Sequence, residues 1–277
     1  MLFCLVYARK VITNFLSIER RIVLDFEQAI IYRSIDEWFY TPQGARVGVA
    51  FASEVAEVAK QISGNTLLQL GSFGQNLWLQ HLNFRYSWVT TPFVCKNHVA
   101  MTASFMELPL DRDSVDCVVA PLCMEAFSKE KNPMDEIDRI LKPMGHLILF
   151  GINPVSFWGG AFMLRRLVYF GSRKPRLTSS LKIKKDLINR GYEQCFHSSF
   201  YYIPPVHGAA MIRYMEVFNE MGKMIWPFPA GFYCLVMQKY QACRPRPVPS
   251  SLEARYVLRP TLAPSSYHRK PQNIGGS

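Results

Sequence analysis

The 277 residues are enough for one sizeable domain with elaborations. With 49% hydrophobic and 13% aromatic residues the chain can build a substantial core, which excludes global disorder. Its 32 basic and 21 acidic residues give a formal net charge of +11, compatible with an acidic partner such as RNA, anionic lipid or a phosphorylated substrate.

The chain opens with "MLFCLVYARK", apolar first and basic second, the reverse of a secretory signal. Residues 1–40 carry apolar positions at three- and four-residue steps and are expected to be helical. "TPQG" at 41–44 is a turn, and a helix is expected from about Ala45 to Ile62. A short buried strand at Leu67–Leu70 follows, then a helix at about Gly74–Leu82 and a strand in "YSWVTTPFV". "VDCVVAPL" is a continuous apolar run of the kind found inside a parallel sheet covered on both faces. "NPMDEIDRILKP" reads as a helix ended by Pro143, and "GHLILFGIN" as another buried strand. Further on come a helix at about Ser180–Arg190, a strand in "YEQCFHSSFYY", a helix from about Ala209 to Met221 and a strand in "GFYCLVMQKY". Strands alternating with short helices predict right-handed βαβ units in an α/β, Rossmann-like open sheet with helices on both faces.

After Tyr240 the chain turns Pro-, Ser- and Arg-rich, with Arg244, Arg246, Arg255, Arg259, Arg269 and Lys270 against Glu253. This basic tail is expected to be disordered and solvated, and able to make weak contact with nucleic acid or anionic lipid. The expected organisation is a helical extension over residues 1–44, a domain over 45–240 and the tail over 241–277. The seven cysteines make no C-x-x-C pair and no Cys/His ligand set, so reduced thiols are expected, with no metal. No stretch reaches the roughly 18 apolar residues of a transmembrane segment, and a cytoplasmic location is expected.

In an open α/β sheet, ligands bind outside the carboxyl ends of the strands near the switch in strand order. "LLQLGSFGQN" (67–76) places Gly71 and Gly74 just past the first strand, where backbone can approach a ligand closely. Two glycines after a strand also suit a simple turn. Stronger information lies in "FMELPLDRDSVDCVVAPLCMEAFSKEKNPMDEIDRILKPMGHLILFGINP". Leu108-Pro109-Leu110, Ser114-Val115-Asp116 and the run Arg139 to Gly145 occur there in order and at regular spacing. This block resembles class I S-adenosylmethionine-dependent methyltransferases of the type-11 group. In those proteins a Leu-Pro-Phe loop, an S-F-D strand start and an R-x-L-K-P-G-G helix end follow one another. The flanking pieces "WFYTPQG", "NPVSFWG" and "YYIPP" are similar to the bacterial YafS-like subgroup.

The resemblance implies about seven strands closing in a C-terminal antiparallel hairpin, and S-adenosylmethionine as cofactor. It implies cofactor contacts at Gln69, Gly71, Ser72, Phe73, Gly74, Thr90, Ser104, Phe105, Met106 and Pro121. Candidates for substrate contact are Trp38, Tyr40, Asn153, Trp158 and Tyr202, with Tyr201 and His207 nearby. Each also has a plain structural role open to it: Trp38 and Trp158 as packing anchors, Asn153 as a turn residue, His207 as a helix-entry residue. Asp116 suits a sheet-orienting role better than that of a base.

The chain departs from the family where acids are usual. Gln69 stands two residues before the loop glycine, Thr90 and Thr91 end the second strand, and Ser104 takes the third position. Phe73 and Gln75 stand where glycines are common. Each missing carboxylate removes a charge-assisted hydrogen bond of about 1.5–3 kcal/mol. Two functions are therefore weighed. One is methyl transfer to an unidentified acceptor, expected to be a small molecule. The other is a weak or inactive methyltransferase-fold protein that binds or regulates through its basic tail. A dinucleotide-binding dehydrogenase is disfavoured because G-x-G-x-x-G is missing.

Overall fold

The computed structural model describes residues 28–93, 100–127, 132–164, 177–206, 208–216, 219 and 229–240. The expected helix over residues 1–27 and the expected disordered tail from 241 lie outside the described residues.

Among the described residues seven strands form one sheet: β1 (Thr66–Leu70), β2 (Tyr86–Thr91), β3 (Met101–Thr102), β4 (Val115–Pro121), β5 (Leu141–Ile152), β6 (Tyr192–Phe200) and β7 (Phe232–Lys239). Their order is β3-β2-β1-β4-β5-β7-β6. The first five run parallel, and β7 lies antiparallel between β5 and β6. Strand order reverses between β1 and β4, which opens a crevice at their carboxyl ends. The α/β open sheet and the antiparallel pairing of the last two strands are as the sequence predicts. β6 and β7 are joined through residues 201–231 rather than a tight turn, so β7 fills the sheet interior.

Apolar runs became the central strands because both of their faces are covered. Cys117, Val118, Val119 and Ala120 of β4 and Leu235, Val236 and Met237 of β7 are fully buried. Helix α1 (residues 28–39) and α2 (Pro42–Val58) precede the sheet. α2 starts three residues before the expected Ala45, because Thr41 caps it by accepting from Gly44 N (3.1 Å) and Pro42 suits the first turn. It ends at Val58 in a 3-10 turn, Ala59–Gln61. α3 (Cys123–Ala126), α4 (Met134–Ile140), α5 (Phe157–Met163), α6 (Ser180–Asn189) and α7 (Ala209–Tyr214) complete the helices named here.

Several expectations need correction. The helix expected at 74–82 is a 3-10 turn, Leu77–His81, entered through Asn76 in the left-handed region (φ 48). Side-chain bonds from Gln69 and to Phe73 N fix Asn76 there, so the chain cannot begin an α-turn at Gly74. β5 begins at Leu141, before Pro143, and absorbs Pro143 and Met144 (φ 64) in a register shift against β4. α3, α5 and the two-residue β3 are too short to show a period in sequence.

At the amino end of the sheet Asp116 joins β4 to β1 and β5. Its carboxylate accepts from Asn65 N (3.0 Å), Thr66 N (2.9 Å), Thr66 Oγ1 (2.9 Å) and Lys142 Nζ (2.7 Å). Partial burial alone would raise its pKa, but the Lys142, Thr66 and Asn65 donors outweigh that and hold it at about 2. The depressed folded value means the ionised form is the stabilising one. Replacing Asp116 with Ala should lower the unfolding free energy by about 2 kcal/mol in urea titrations near pH 7. In the wild type this contribution is present above about pH 4 and lost as pH falls toward 2, and the variant should lack that part of the acid-induced loss.

Candidate functional site

β1 delivers the chain into the loop Gly71–Asn76, where Gly71 (φ 91) and Gly74 (φ 56) adopt backbone angles that favour glycine. Gly71 N donates to Thr90 O at 2.7 Å, tying the loop to the end of β2. Beneath the loop lies Gln69, fully buried. Its amide nitrogen donates to Gly71 O (2.7 Å) and Asn76 Oδ1 (2.6 Å), and its oxygen accepts from Trp78 Nε1 (2.8 Å). Asn76 Oδ1 also accepts from Phe73 N at 2.9 Å. Every polar atom of the Gln69 amide is thus engaged inside the protein.

The same geometry explains why an amide stands where an acid is usual. A carboxylate at 69 would face Gly71 O and Asn76 Oδ1, both acceptors, in a fully buried position. Gln69→Glu should therefore destabilise the fold by more than about 2 kcal/mol in urea titrations, instead of restoring a cofactor contact.

Above the loop, aromatic rings cover Gly71. A Cβ built on Gly71 would lie 2.5 Å from Phe73 Cζ and 2.9 Å from Tyr32 Cε1. Phe73, Tyr32 and Phe105 are all fully buried. The Tyr32 ring stacks on Phe73 with centroids 5.7 Å apart and meets Phe105 edge-on at 4.8 Å. Helix α1 supplies Tyr32 and is fastened to the loop at both peptide groups of Gly74. Asp36 Oδ1 accepts from Gly74 N at 2.8 Å, and Tyr40 OH donates to Gly74 O at 3.3 Å. Burial raises the Asp36 carboxyl, with the Gly74 N–H pulling the other way.

Toward the carboxyl ends of the strands two buried polar atoms, Thr90 Oγ1 and Glu125 Oε2, have no hydrogen-bond partner, while the Tyr32 hydroxyl bonds the Cys123 thiol. α3, just past β4, places Glu125, whose Oε1 accepts from Ile152 N at 2.9 Å. Burial pushes its carboxyl up to about 7 against two backbone donors. The adjacent Cys123 thiol is pushed up to about 12 by burial and stays protonated near neutrality. Among the described residues no group of three His, Cys, Asp or Glu side chains is arranged to hold a metal.

The other expected cofactor positions gather at this edge. Ser72 is buried, its hydroxyl accepting from Asn76 Nδ2 at 3.4 Å. Pro121 closes β4 opposite Phe150. Ser104 and Met106 flank Phe105 in the segment after β3, with Ser104 Oγ accepting from Met106 N at 3.4 Å. The substrate candidates separate. Trp38 and Trp158 meet edge-on at 5.7 Å, but only 2% and 1% of their surfaces are exposed, and the Trp158 indole donates to Ile203 O at 2.9 Å. Both rings pack the core. Asn153 forms a turn, its Oδ1 accepting from Val155 N and its carbonyl from Ser156. Tyr40 is exposed at the loop, Tyr202 is half-buried with its amide bonded to Asn219 Oδ1, and Tyr201 is buried with φ 64. His207 lies outside the described residues.

Residues 85–149 match the family described as a methyltransferase domain. The fold recurs in solved structures at low identity. A Haloferax volcanii methyltransferase in complex with the Trm112 methyltransferase activator is 15% identical, with a TM-score of 0.54 over 76% of this chain and 98% of that one. A Thermotoga maritima S-adenosylmethionine-dependent methyltransferase is 15% identical, with a TM-score of 0.53 over 78% and 98%. The fold is a methyltransferase fold. A third example, from Archaeoglobus fulgidus, is 13% identical, with a TM-score of 0.50 over 69% of this chain and 94% of its own. No curated protein matches the chain in sequence.

Four residues that shape this methyltransferase-fold edge, Tyr32, Asp36, Asn76 and Glu125, are missing from the set named on sequence. Only Glu125 carried a signal, as a lone acid inside the apolar run "APLCMEAF". Tyr32 and Asp36 look like ordinary positions of an amphipathic helix. The folded Glu125 carboxyl, at about 7, holds its proton more tightly than the unfolded one near 4.5. Stability is then complete below about pH 4.5 and falls as pH rises through 7, by on the order of 3 kcal/mol. Glu125→Gln keeps the acceptor for Ile152 N and should flatten that decline in urea titrations between pH 5 and 8.

Proposed function

We propose that this chain is an S-adenosylmethionine-dependent methyltransferase that holds its cofactor over the carboxyl ends of β1, β2 and β4. The observation that carries this reading is the strand order β3-β2-β1-β4-β5-β7-β6 with the glycine loop at its point of reversal. The cofactor's sulfonium supplies an activated methyl group, so the protein has chiefly to orient the partners and exclude water.

On this reading the backbone of Gly71, Ser72 and Gly74 lines the cofactor. Thr90 offers its unpartnered hydroxyl to the hydroxyl-bearing part, and Ser104, Phe105, Met106 and Pro121 border the ring system. The buried Thr90 Oγ1 fits a group with donors and acceptors of its own, since such orphaned atoms are rare in a finished core. No side chain is assigned as the catalytic residue. A small-molecule acceptor entering near Tyr40 and Tyr202 agrees with their partial exposure. Within the family we assign the chain to the YafS-like subgroup on its flanking segments, and to the cytoplasm on its cysteine usage. We assign α1 to the domain rather than to a separate extension, on the bond between Asp36 and the loop.

A second reading, a methyltransferase-fold binding protein without catalysis, is favoured by the rings that cover Gly71. It leaves the basic tail to make salt-sensitive contact with an acidic partner. Calorimetric titration with S-adenosylhomocysteine distinguishes the two. The methyltransferase reading expects saturable binding with a rise in melting temperature. Well-folded protein that stays unbound at millimolar ligand would overturn it.

A further inference from the structure

From the contacts at Gly71 and Gly74 we infer that Tyr32 and Phe73 form a self-plug in the ligand crevice, held by an Asp36 latch and withdrawn when ligand binds. The inference rests on the methyltransferase reading for the identity of the ligand, and on four observations for the plug.

The first is position. Gly71 stands at the switch point and has a backbone angle that favours glycine, yet its open side is filled by Phe73 and Tyr32. The loop's own residue and a helix from outside the sheet thus occupy the space that the glycine leaves. The second is the latch. Gly74 N–H, a loop donor facing out of the β1 end, is taken by a carboxylate of the protein itself, Asp36. Tyr40, just past α1, donates to the Gly74 carbonyl, so α1 and the residue that follows it hold both backbone groups that a polar ligand would use.

The third is the set of unmet polar atoms. Thr90 Oγ1, at the end of β2, and Glu125 Oε2, just past β4, are buried without partners. Buried polar atoms left without a partner are rare in a finished core. These two are accounted for if the closed arrangement alternates with one in which a polar ligand enters. The fourth is a receiving space. A cavity of about 210 Å³ borders Phe73 and Gly74 and is walled by Phe39, Gly48 and Trp78. An apolar cavity of about 150 Å³ already accepts a benzene ring, so this one has room for the Phe73 ring.

Gly48 adds weight to the fourth point. It lies inside α2, where glycine disfavours the helix. A Cβ there would meet nothing closer than Phe39 Cδ1 at 3.6 Å, which is ordinary contact. Packing does not demand a glycine at 48, but a larger side chain would enter the cavity. Opening then has a simple form: Asp36 leaves Gly74 N, Tyr32 lifts with α1, and the Phe73 ring swings toward Trp78. Ligand affinity is reduced by the fraction of molecules that are open, so loosening the latch raises it and blocking the receiving space lowers it.

The experiment titrates S-adenosylhomocysteine into the full chain and into Asp36→Ala, Tyr32→Ala and Gly48→Leu, each first checked for cooperative melting. Asp36→Ala and Tyr32→Ala should bind about tenfold or more tighter than wild type, and Gly48→Leu weaker by a similar factor. Hydrogen exchange of the amides of residues 28–39 in the wild type should accelerate on ligand addition. Asp36 is half-buried and outside the core, so that variant carries the test if Tyr32→Ala does not fold. Unchanged or weaker binding by folded Asp36→Ala, or α1 exchange that stays the same or slows, overturns the plug. Binding by the variants but not by wild type also overturns it as a switch, since the plug would then never open, while the ligand site itself stands. If none of the folded proteins binds, the methyltransferase reading is what fails.

Discussion

The amide of Gln69 fixes the loop on which the rest of the site depends. Its nitrogen reaches Gly71 O and Asn76 Oδ1, its oxygen receives the Trp78 indole, and through Asn76 it also holds the amide of Phe73. A neutral side chain with both donors and an acceptor is the one type that satisfies this set, which neither a carboxylate nor an apolar residue could. Because the loop is tightened by side chains, it cannot run on into an α-helix, and the 3-10 turn that follows brings Trp78 under Phe51 and Phe39. The position of the Phe73 ring over Gly71 follows from the same bonds.

The positions where this chain departs from the type-11 methyltransferase pattern therefore act together. Where acids are usual, Gln69 holds the loop, Thr90 keeps a hydroxyl under cover, and Ser104 sits beside the buried Phe105. Neutral polar side chains and aromatic rings fill this part of the crevice. Contacts such as Tyr32 with Phe73 and Phe105 contribute roughly 0.5–1.5 kcal/mol each beyond their burial, comparable with one lost charge-assisted hydrogen bond. A crevice balanced at that level can favour its closed form and still yield to a ligand.

The fold was legible where one interaction controlled a whole segment. The apolar runs of β4, β5 and β7 show in sequence because burial on both faces requires them. Short elements escaped notice: β3 has two residues and α3 four, too few to repeat a pattern. The loop was legible as a loop, since Gly71 and Gly74 follow a strand. What covers it was not, because Tyr32 arrives from a segment 39 residues earlier than Gly71 whose pattern says only that it is a helix. Trp38 and Trp158 show the reverse case. Their chemistry suits a ligand, yet their burial and mutual packing give them to the core.

The two ends of the sheet explain why family likeness was easier to read than activity. At the amino end the recognisable residues bond one another. Arg139 donates to Leu108 O (2.9 Å), Leu110 O (2.8 Å) and Glu136, while Glu136 accepts from Leu108 N at 2.7 Å. Lys142 completes Asp116. Arg139 and Glu136 thus tie the Leu-Pro-Leu loop to α4, and Asp116 with Lys142 ties β4 to β1 and β5. Both sets of bonds serve the scaffold. At the carboxyl end the Gln69 network fixes the loop, while Thr90 Oγ1 and Glu125 Oε2 keep no partner. Such residues are free to follow a ligand's chemistry, which is why the most readable motifs report the scaffold and the least readable ones line the crevice.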